Sequence, residues 1–437
     1  MKKRWKKIII KKREINIGIL GLGTVGQGVL KVLQENKEFI EQKIYPKKII
    51  LKKIADKDKN KVLPDKSLYK IFTDSAEEVV NNPEIDIIVE TIGGFEPARS
   101  LIAQALKSGK HVVTANKEVI AQAGYEILSL AQENKVHFLF ESSVASGIPI
   151  IGVLSHSLTS YKPREIIGIL NGTTNYILTR MSEEGSDYEE ALKEAQEKGY
   201  AEADPSKDID GFDTFNKIFI LSAIAFRAKI DPQDIYYEGI RNISKIDIEY
   251  ARELGYTIKL LALAKNKGEE LDIRVHPALI PKKRTLANVG GAYNGILVRG
   301  DGFGDLIFSG PGAGALPAGS MIVSDIIEII KNFDSYNNNY NYFEVKKVKA
   351  FKETHSPYYL RIRVKDRPGV LAEIAGSFAQ KEVSFLSVIQ KGEAGEVVDI
   401  VFLTHLAKEG NVQEALKKVA CLDCVVKICS AIRVVDI

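Results

Sequence analysis

The sequence predicts an α/β fold with a first domain on a doubly wound parallel sheet, an α+β domain and a small C-terminal module. Three patterns support this prediction. Short apolar strands alternate with helical segments over 14–140. Glycine-rich motifs and longer helices occupy 141–308, and 358–437 follow the order strand, helix, strand, strand, helix, strand. Strands that alternate with helices are typical of parallel sheets.

Apolar runs and helical spacing define the individual elements. In the first domain, strands are predicted at 14–21, 49–55, 85–90, 111–114 and 136–140, and helices at 97–108 and 119–132. Further along, helices are predicted at 213–228 and 246–263, strands within 271–308, and a Gly/Pro-rich turn with an apolar helix over 309–330. Residues 335–342 (SYNNNYNY) have the composition of a linker.

Length and charge narrow the functional class. The chain has 437 residues, 45% of them hydrophobic, which is too long for one ordinary core. Its net charge of +4 comes from residues 1–13, which hold eight Lys and Arg and no acid, so the remainder is acidic by four charges. We therefore expect no nucleic-acid partner.

No apolar run approaches the roughly 18 residues of a membrane span, and the basic segment lacks the apolar region of a secretory signal. We therefore expect a soluble, cytoplasmic protein.

The three cysteines are Cys421, Cys424 and Cys429. The first two have CxxC spacing, but a zinc site needs further Cys or His ligands close by. We expect these residues to be reduced thiols in a strand region.

A dinucleotide site is predicted where GLGTVG joins a strand to a helix. Gly21 would make the tight turn, Gly23 would admit the pyrophosphate, and Gly26 would allow close packing of helix and strand. Asp56 ends the second strand, where an acid binds a ribose hydroxyl, whereas Lys57 and the nearby Lys59 could hold a 2′-phosphate. The alternative is a structural glycine turn.

A second candidate site lies in 199–217, where acids crowd before an apolar helix. Asp213 and Lys217 are four residues apart and share a helix face. A lysine near a helix start and a buried core is a candidate for a lowered pKa and for proton transfer. An ordinary surface ion pair is the alternative, and spacing alone favours it.

Six motifs make the chain resemble the homoserine dehydrogenase family over nearly everything after residue 13, and KDRPGVLAEIAG at 365–376 resembles an ACT regulatory domain. The motifs are GLGTVG at 21–26, TANK at 114–117, ESSVASGIPI at 141–150, NGTTNYIL at 171–178, GYAEADPSKDIDGFDTFNK at 199–217 and PGAGALPAGSMIVSDI at 311–326.

The resemblance implies the domain plan and the partners. A Rossmann-like NAD(P)-binding domain at 14–140 is completed by 309–330, and a homoserine-binding catalytic and dimerisation domain covers 141–308. A linker at 331–350 precedes a ferredoxin-like ACT domain at 351–437, while 1–13 is a basic extension. Implied partners are L-homoserine, L-aspartate 4-semialdehyde, NADP or NAD, a sodium ion, threonine as effector, and further subunits in a homodimer or tetramer.

The resemblance also implies roles for residues. Lys217 matches the general acid/base and Lys117 a second lysine near the reacting oxygen and the nicotinamide. Substrate-binding acids match Glu202, Asp208 and Asp213. The monovalent-cation site matches Glu141, Val144, Ser146 and Ile148, although the sequence of this segment alone favours a structural turn before Pro149. The cofactor-binding residues match Gly21, Gly23, Thr24, Val25, Gly26, Asp56, Lys57, Thr91, Lys117 and Gly314.

Two other functions would place different demands on the residues of this chain. Aspartate-semialdehyde dehydrogenase needs a cysteine nucleophile, and every cysteine here lies beyond residue 420. An inactive amino-acid sensor would not need the retained set of lysines and acids. The preference between NAD and NADP stays open, and we expect use of both.

A turn in the C-terminal module predicts effector binding. Pro368 and Gly369 would expose backbone N–H groups ahead of a helix over 370–380, and such groups suit an amino-acid carboxylate. The alternative is a structural turn in a dimerisation module. On this basis, a chain ending near Asn339 should stay active and lose threonine sensitivity.

Overall fold

The structure is a computed structural model that describes residues 13–63, 65–160, 162–302, 304–336, 343–391 and 397–436. The basic extension, except for Arg13, and residues 337–342 of the expected linker lie outside this range. The chain forms two compact units. The first runs to Ser157 and resumes at Ala313, and the second contains Leu158–Gly312 and the chain from Phe343 onward.

The first unit confirms the doubly wound parallel sheet. Its strand order is β3-β2-β1-β4-β5-β6, and every pairing is parallel. The strands are β1 (Glu14–Leu20), β2 (Lys48–Ala55), β3 (Phe72–Thr73), β4 (Ile87–Glu90), β5 (His111–Thr114) and β6 (Phe138–Leu139). The helices are α1 (Thr24–Glu35), α2 (Lys37–Ile44), α3 (Ala76–Val80), α4 (Ala98–Lys107) and α5 (Lys117–Glu133).

The second unit begins with an antiparallel sheet flanked by helices. Its strands are β7 (Pro163–Ile169), β8 (Ala228–Lys229), β9 (Tyr236–Tyr237), β10 (Tyr256–Asn266), β11 (Glu270–Pro281), β12 (Tyr293–Gly300) and β13 (Gly304–Pro311). Its helices are α6 (Gly172–Glu183), α7 (Tyr188–Glu197), α8 (Ser206–Ile209), α9 (Phe212–Phe226) and α10 (Lys245–Glu253). The main sheet order is β13-β12-β7-β10-β11.

The prediction of a single helix over 246–263 was wrong for the second half of that range. Helix α10 ends at Glu253, Gly255 takes a left-handed φ of +82°, and β10 starts at Tyr256. Strand β10 lies in the sheet between β7 and β11, and its residues 258–264 are all buried. A strand that is buried on both faces has no alternating pattern, so its apolar run resembles a buried helix.

Helix α11 (Ala315–Lys331) follows and belongs to the first unit. It packs closely on α1, since a Cβ at Gly28 would overlap the Ala315 carbonyl and one at Gly319 would overlap the Gly28 backbone. Ile322 of α11 then joins the core beneath the sheet.

The C-terminal module has the predicted order of its main elements. These are β17 (Tyr358–Lys365), α12 (Val370–Ala379), β18 (Phe385–Lys391), β19 (Val397–Thr404), α13 (Glu409–Val419) and β21 (Val425–Val434). The short strands β14 (Glu344–Val345), β15 (Lys347–Val348), β16 (His355–Ser356) and β20 (Ala407–Lys408) accompany them. Both helices cover one face of the sheet β21-β17-β19-β18 and enclose one core.

The module shares a sheet with the preceding domain. Strand β21 pairs with β11 in parallel, with Ala278 opposite Arg433 and Leu279 opposite Val434. Val435 packs in the core of the preceding domain. The part of the expected linker after Phe343 also contributes, because β14 pairs with β8 and β15 with β11. The two sheets are therefore one continuous structure. In the described parts of the chain, no helix is both long and apolar enough to span a bilayer.

Candidate active site

The glycine loop at the end of β1 has the shape of a dinucleotide site. Gly21 takes a φ of +90°, and a Cβ on Gly26 would overlap the Gly21 carbonyl. By contrast, a Cβ on Gly23 would meet no atom within 4 Å. Gly21 and Gly26 are thus required by packing, while Gly23 leaves open space at the N-terminus of α1, where N–H groups favour a pyrophosphate. These residues fit NAD(P).

Other candidate cofactor residues surround this loop. Thr24 and Val25 begin α1, and the Thr91 hydroxyl donates to the carbonyls of Leu20 at 3.0 Å and Gly21 at 2.8 Å. Gly314 precedes α11, whose first residue lies against α1.

Asp56 stabilises the loop itself. Its carboxylate accepts the backbone N–H of Leu22 at 2.7 Å and of Asp58 at 3.0 Å. Burial opposes the charge, but these bonds lower the pKa of Asp56 below its ordinary value. Lys57 is exposed, whereas Lys59 pairs with Asp74 at 2.6 Å. Of these two lysines, Lys59 is thus already paired with an acid.

Glu90 is a buried acid that the sequence analysis missed. It accepts the N–H of Ile92 at 2.7 Å and the Thr114 hydroxyl at 2.5 Å, and burial raises its pKa. It thereby holds the turn after β4. The signal was an acid at the end of an apolar strand, just before two glycines.

Lys117 is the first residue of α5 and is half-buried. Asn116 caps this helix by accepting the N–H of Val119 at 3.1 Å, and its amide donates to the Gly94 carbonyl at 2.7 Å. The cap fixes the backbone from which Lys117 extends.

In the second unit, Lys217 and Asp213 form a buried ion pair on α9. Nζ of Lys217 lies 2.8 Å from Oδ2 of Asp213 and donates to the Leu170 carbonyl at 2.7 Å. The exposed fractions are only 8% and 3%, so this is not a surface pair. Burial removes most solvent screening, and the lysine is held at a defined position.

Asn171 joins this pair to a third charged group. Its Nδ2 donates to Asp208 at 2.8 Å and to Asp213 at 2.9 Å, while its Oδ1 caps α6 through the N–H of Thr174 at 2.8 Å. The Thr173 hydroxyl lies 3.1 Å from Asp208. No role was predicted for Asn171 from the motif NGTTNYIL, although an Asn three residues before Thr174 is a helix-cap signal.

The electrostatics of the cluster suit an ammonium group. Burial, together with the charge of Asp213, raises the pKa of Asp208 above its ordinary value. A bound cation would relieve this repulsion and complete the hydrogen bonding of the carboxylates. Glu202 is exposed, and its backbone carbonyl accepts a hydrogen bond from the side-chain amide of Gln196 at 3.2 Å. The structure thus brings together Asp208, Asp213 and Lys217. Glu202 lies two residues after Tyr200, whose carbonyl accepts the Thr173 hydroxyl at 2.6 Å.

The segment proposed for a monovalent cation is also buried. Glu141 accepts the N–H of Ile151 at 2.7 Å and of Gly152 at 2.6 Å, and Asp325 accepts the N–H of Glu141 at 2.9 Å. Burial raises the pKa of both carboxyls, and Glu141 adds to the effect on Asp325. Asp325 was missed by the sequence analysis.

The donor set of this segment fits a hard cation. Two buried carboxyls lie close together, and the hydroxyls of Ser142 and Ser143 have no hydrogen-bond partner within the described chain. That chain contains no group of three His, Cys, Asp or Glu side chains able to hold a metal. A cation here would therefore need backbone carbonyls, which suit an ion that prefers oxygen.

Family models match the chain in three consecutive parts. "Homoserine dehydrogenase, NAD binding domain" matches 21–141, "Homoserine dehydrogenase" matches 149–327, and "ACT domain" matches 358–421. A homoserine dehydrogenase of Synechocystis is 42% identical over 97% of this chain and 100% of its own length. The chain belongs to the homoserine dehydrogenase family. As a family member it is an NAD(P)-dependent oxidoreductase.

Further homoserine dehydrogenases support this membership. The relative from Bacillus subtilis is 37% identical over 97% of this chain and 98% of its own. The crystal structure of the Thiobacillus denitrificans homoserine dehydrogenase matches with a TM-score of 0.91 and 41% identity, covering 97% of this chain and 99% of that one. A hyperthermophilic archaeal homoserine dehydrogenase in complex with NADPH matches with a TM-score of 0.63 and 29% identity, over 74% and 100%.

Proposed function

We propose that the chain catalyses the reversible oxidation of L-homoserine to L-aspartate 4-semialdehyde. The observation that carries the proposal is the buried cluster of Lys217, Asp213, Asp208 and Asn171. Bound NAD(P)⁺ supplies the hydride acceptor for the C4 hydrogen. In the reductive direction the ammonium of Lys217 donates a proton to the C4 oxygen, and in the oxidative direction the resulting amine takes the hydroxyl proton back. Asp208 and Asp213 hold the substrate ammonium, and Asn171 positions both carboxylates.

Lys117 and Glu202 are proposed for the site on family resemblance. Lys117 is the second lysine near the reacting oxygen, and Glu202 is a further ligand of the substrate ammonium.

We place the activity in threonine, methionine and isoleucine biosynthesis, in the cytoplasm, where the three cysteines remain free thiols. We also propose a homodimer or tetramer.

The test is homoserine-dependent reduction of NAD⁺ or NADP⁺ by the purified chain. L-2-Aminobutyrate is the matched control, because it has the same ammonium and carboxylate groups but lacks the C4 hydroxyl. We expect reduction with homoserine alone. Equal rates with both compounds, or none with homoserine, would refute the proposed function.

Cofactor choice depends on Lys57 in this proposal. We expect both cofactors to be used, and Lys57→Ala to lower kcat/KM for NADP by roughly tenfold relative to NAD, because a charge-assisted bond is lost. Lys59→Ala is the control, since Lys59 is already paired with Asp74. An unchanged NADP to NAD ratio in Lys57→Ala would remove Lys57 from this role.

A sodium ion is proposed beside Glu141, with carbonyls of Val144, Ser146 and Ile148. Replacing sodium with choline should lower activity, and Glu141→Gln should raise the sodium concentration for half-maximal activity because one negative ligand is lost. The exposed Glu133→Gln is the control. Identical sodium titrations for both variants would contradict this site.

Feedback regulation by threonine is proposed at the turn before α12. Gly369 takes a φ of +94° there, which a larger residue adopts only with strain. Threonine should inhibit the full-length enzyme, and Gly369→Ala should weaken the inhibition about fivefold or more. Absence of both threonine binding by calorimetry and inhibition would refute the regulation without affecting the dehydrogenase assignment.

A further inference from the structure

A polar cavity of about 750 Å³ lies inside the second unit, between β21 and the segment 236–246. It differs from the catalytic cluster and from the turn at Gly369. Strand β21 pairs with β11 only at Arg433 and Val434, so the cavity follows the rest of its edge. Its lining includes five cationic side chains and one acid, namely Arg241, Arg361, Arg363, Lys427, Arg433 and Glu238.

The two most buried arginines are neutralised by the protein. Arg361 bonds to Asp247 at 2.7 Å and to Asp399 at 2.9 Å. Arg433 lies 2.8 Å from Glu238 and 3.0 Å from Glu409. These pairs form the floor of the cavity, and their charges are satisfied without a ligand.

The rim holds two neighbouring cations, Arg363 and Lys427, and one acid, Asp399, which pairs with Arg363. Arg363 and Lys427 are directly opposite each other on β17 and β21, and like charges at opposed positions destabilise a sheet. Asp399 binds Arg363 at 2.8 Å but is shared with Arg361. Lys427 is exposed and makes no ion pair within the described residues. An anion between Arg363 and Lys427 would remove this repulsion.

One wall of the cavity also contacts the catalytic segment. Arg241 forms an ion pair with Asp210 and donates to the Ser206 hydroxyl at 3.1 Å. The neighbouring Ile240 N–H donates to the Ile209 carbonyl at 2.8 Å. Both ends of α8 are therefore held by the cavity wall, and Asp208 lies on that helix.

We propose that this cavity binds a small dianion, a phosphate ester or a dicarboxylate, and that binding weakens homoserine affinity by drawing Arg241 away from Asp210. The proposal rests on the function proposed above. A zwitterion such as threonine has no net charge to match the rim. The anion bridges Arg363, Lys427 and Arg241. The loss of the Arg241–Asp210 pair then removes one of the contacts that hold the C-terminal end of α8.

The test uses the full-length enzyme with inorganic phosphate and with succinate. The reference is a mixture of sodium chloride and choline chloride that matches both the sodium concentration and the ionic strength. Each anion's affinity is measured by calorimetry, together with the KM for homoserine. We expect binding of phosphate, succinate or both, with KM raised at least about fivefold at an unchanged kcat. Lys427→Gln should weaken that binding roughly tenfold, while Lys417→Gln, an exposed lysine outside the lining, should not.

Three results would overturn the proposal. They are no calorimetric binding of either anion, equal binding by the two variants, or an equal KM shift with chloride. The calorimetric measurement needs no turnover, so it remains decisive even if homoserine is not oxidised. A protein that binds the anions but lacks dehydrogenase activity would refute the proposed function and the KM effect, while retaining the site.

Discussion

Replacing Lys217 with methionine should lower kcat by about two to four orders of magnitude, the usual contribution of a general acid/base. Methionine keeps the length and apolar character of the side chain but cannot carry the proton. The Leu170 carbonyl keeps a second donor, Nδ2 of Asn294 at 3.0 Å. The local backbone should therefore survive the change, although Asp213 loses its cationic partner.

The control for this experiment is Lys193→Met, an exposed lysine on α7. Thermal unfolding of both variants separates loss of chemistry from loss of fold. We expect a folded Lys217→Met protein with severely reduced kcat, and wild-type kcat in Lys193→Met. Near-wild-type kcat in Lys217→Met would refute the acid/base assignment.

Asp247→Ala should destabilise the protein by about 3–5 kcal/mol, the cost of leaving a buried ion pair without one partner. Asp247 lies on α10, is fully buried, and binds Arg361 at 2.7 Å, Ser430 at 2.7 Å and Tyr359 at 3.1 Å. It therefore connects α10 to two strands of the C-terminal module. Chemical denaturation of wild type and variant measures the difference.

Lys391→Met provides a matched control, because Lys391 pairs with Glu253 between the same module and the same helix, but with both side chains about half exposed. An exposed pair contributes at most about 1 kcal/mol. Equal destabilisation in the two variants would contradict the role given to burial.

The stability from Asp247 should also depend on pH. Burial opposes its charge, but Arg361 and the neighbouring hydroxyls lower its pKa below the ordinary value. A carboxyl with a depressed folded-state pKa stabilises the fold above its unfolded pKa of about 3.9, and this stability is lost on acidification. The difference in free energy of unfolding between wild type and Asp247→Ala should therefore become smaller as the pH falls below about 4.

The sequence predicted those features that depend on residues close together in the chain. The glycine spacing of Gly21, Gly23 and Gly26 predicted the loop geometry, since strand, turn and helix are neighbours in the chain. The spacing of Asp213 and Lys217 predicted a shared helix face, but not its burial. Burial depends on the Leu170 carbonyl and Asn171, which are distant in sequence.

The C-terminal module illustrates what sequence could not show. Its internal order was predicted, but its pairing with β11 involves only Arg433 and Val434, too few residues for a periodic pattern. A chain ending near Asn339 would lose both this pairing and the buried Arg361–Asp247 bond, so we expect it to be less stable than the full chain. Truncation there would remove a sheet neighbour and the partner of a buried acid, so regulation is better tested in the full chain.

The most direct test of the central claim uses L-homoserine carrying deuterium at C4. With deuterium in place of both C4 hydrogens, the purified enzyme should transfer one deuterium per turnover to a carbon of the nicotinamide ring. Unlabelled homoserine in heavy water should place none on that carbon. Together these outcomes would establish direct hydride transfer from C4. Reduced cofactor without deuterium from labelled substrate, or deuterium taken up from the solvent, would contradict the proposed reaction.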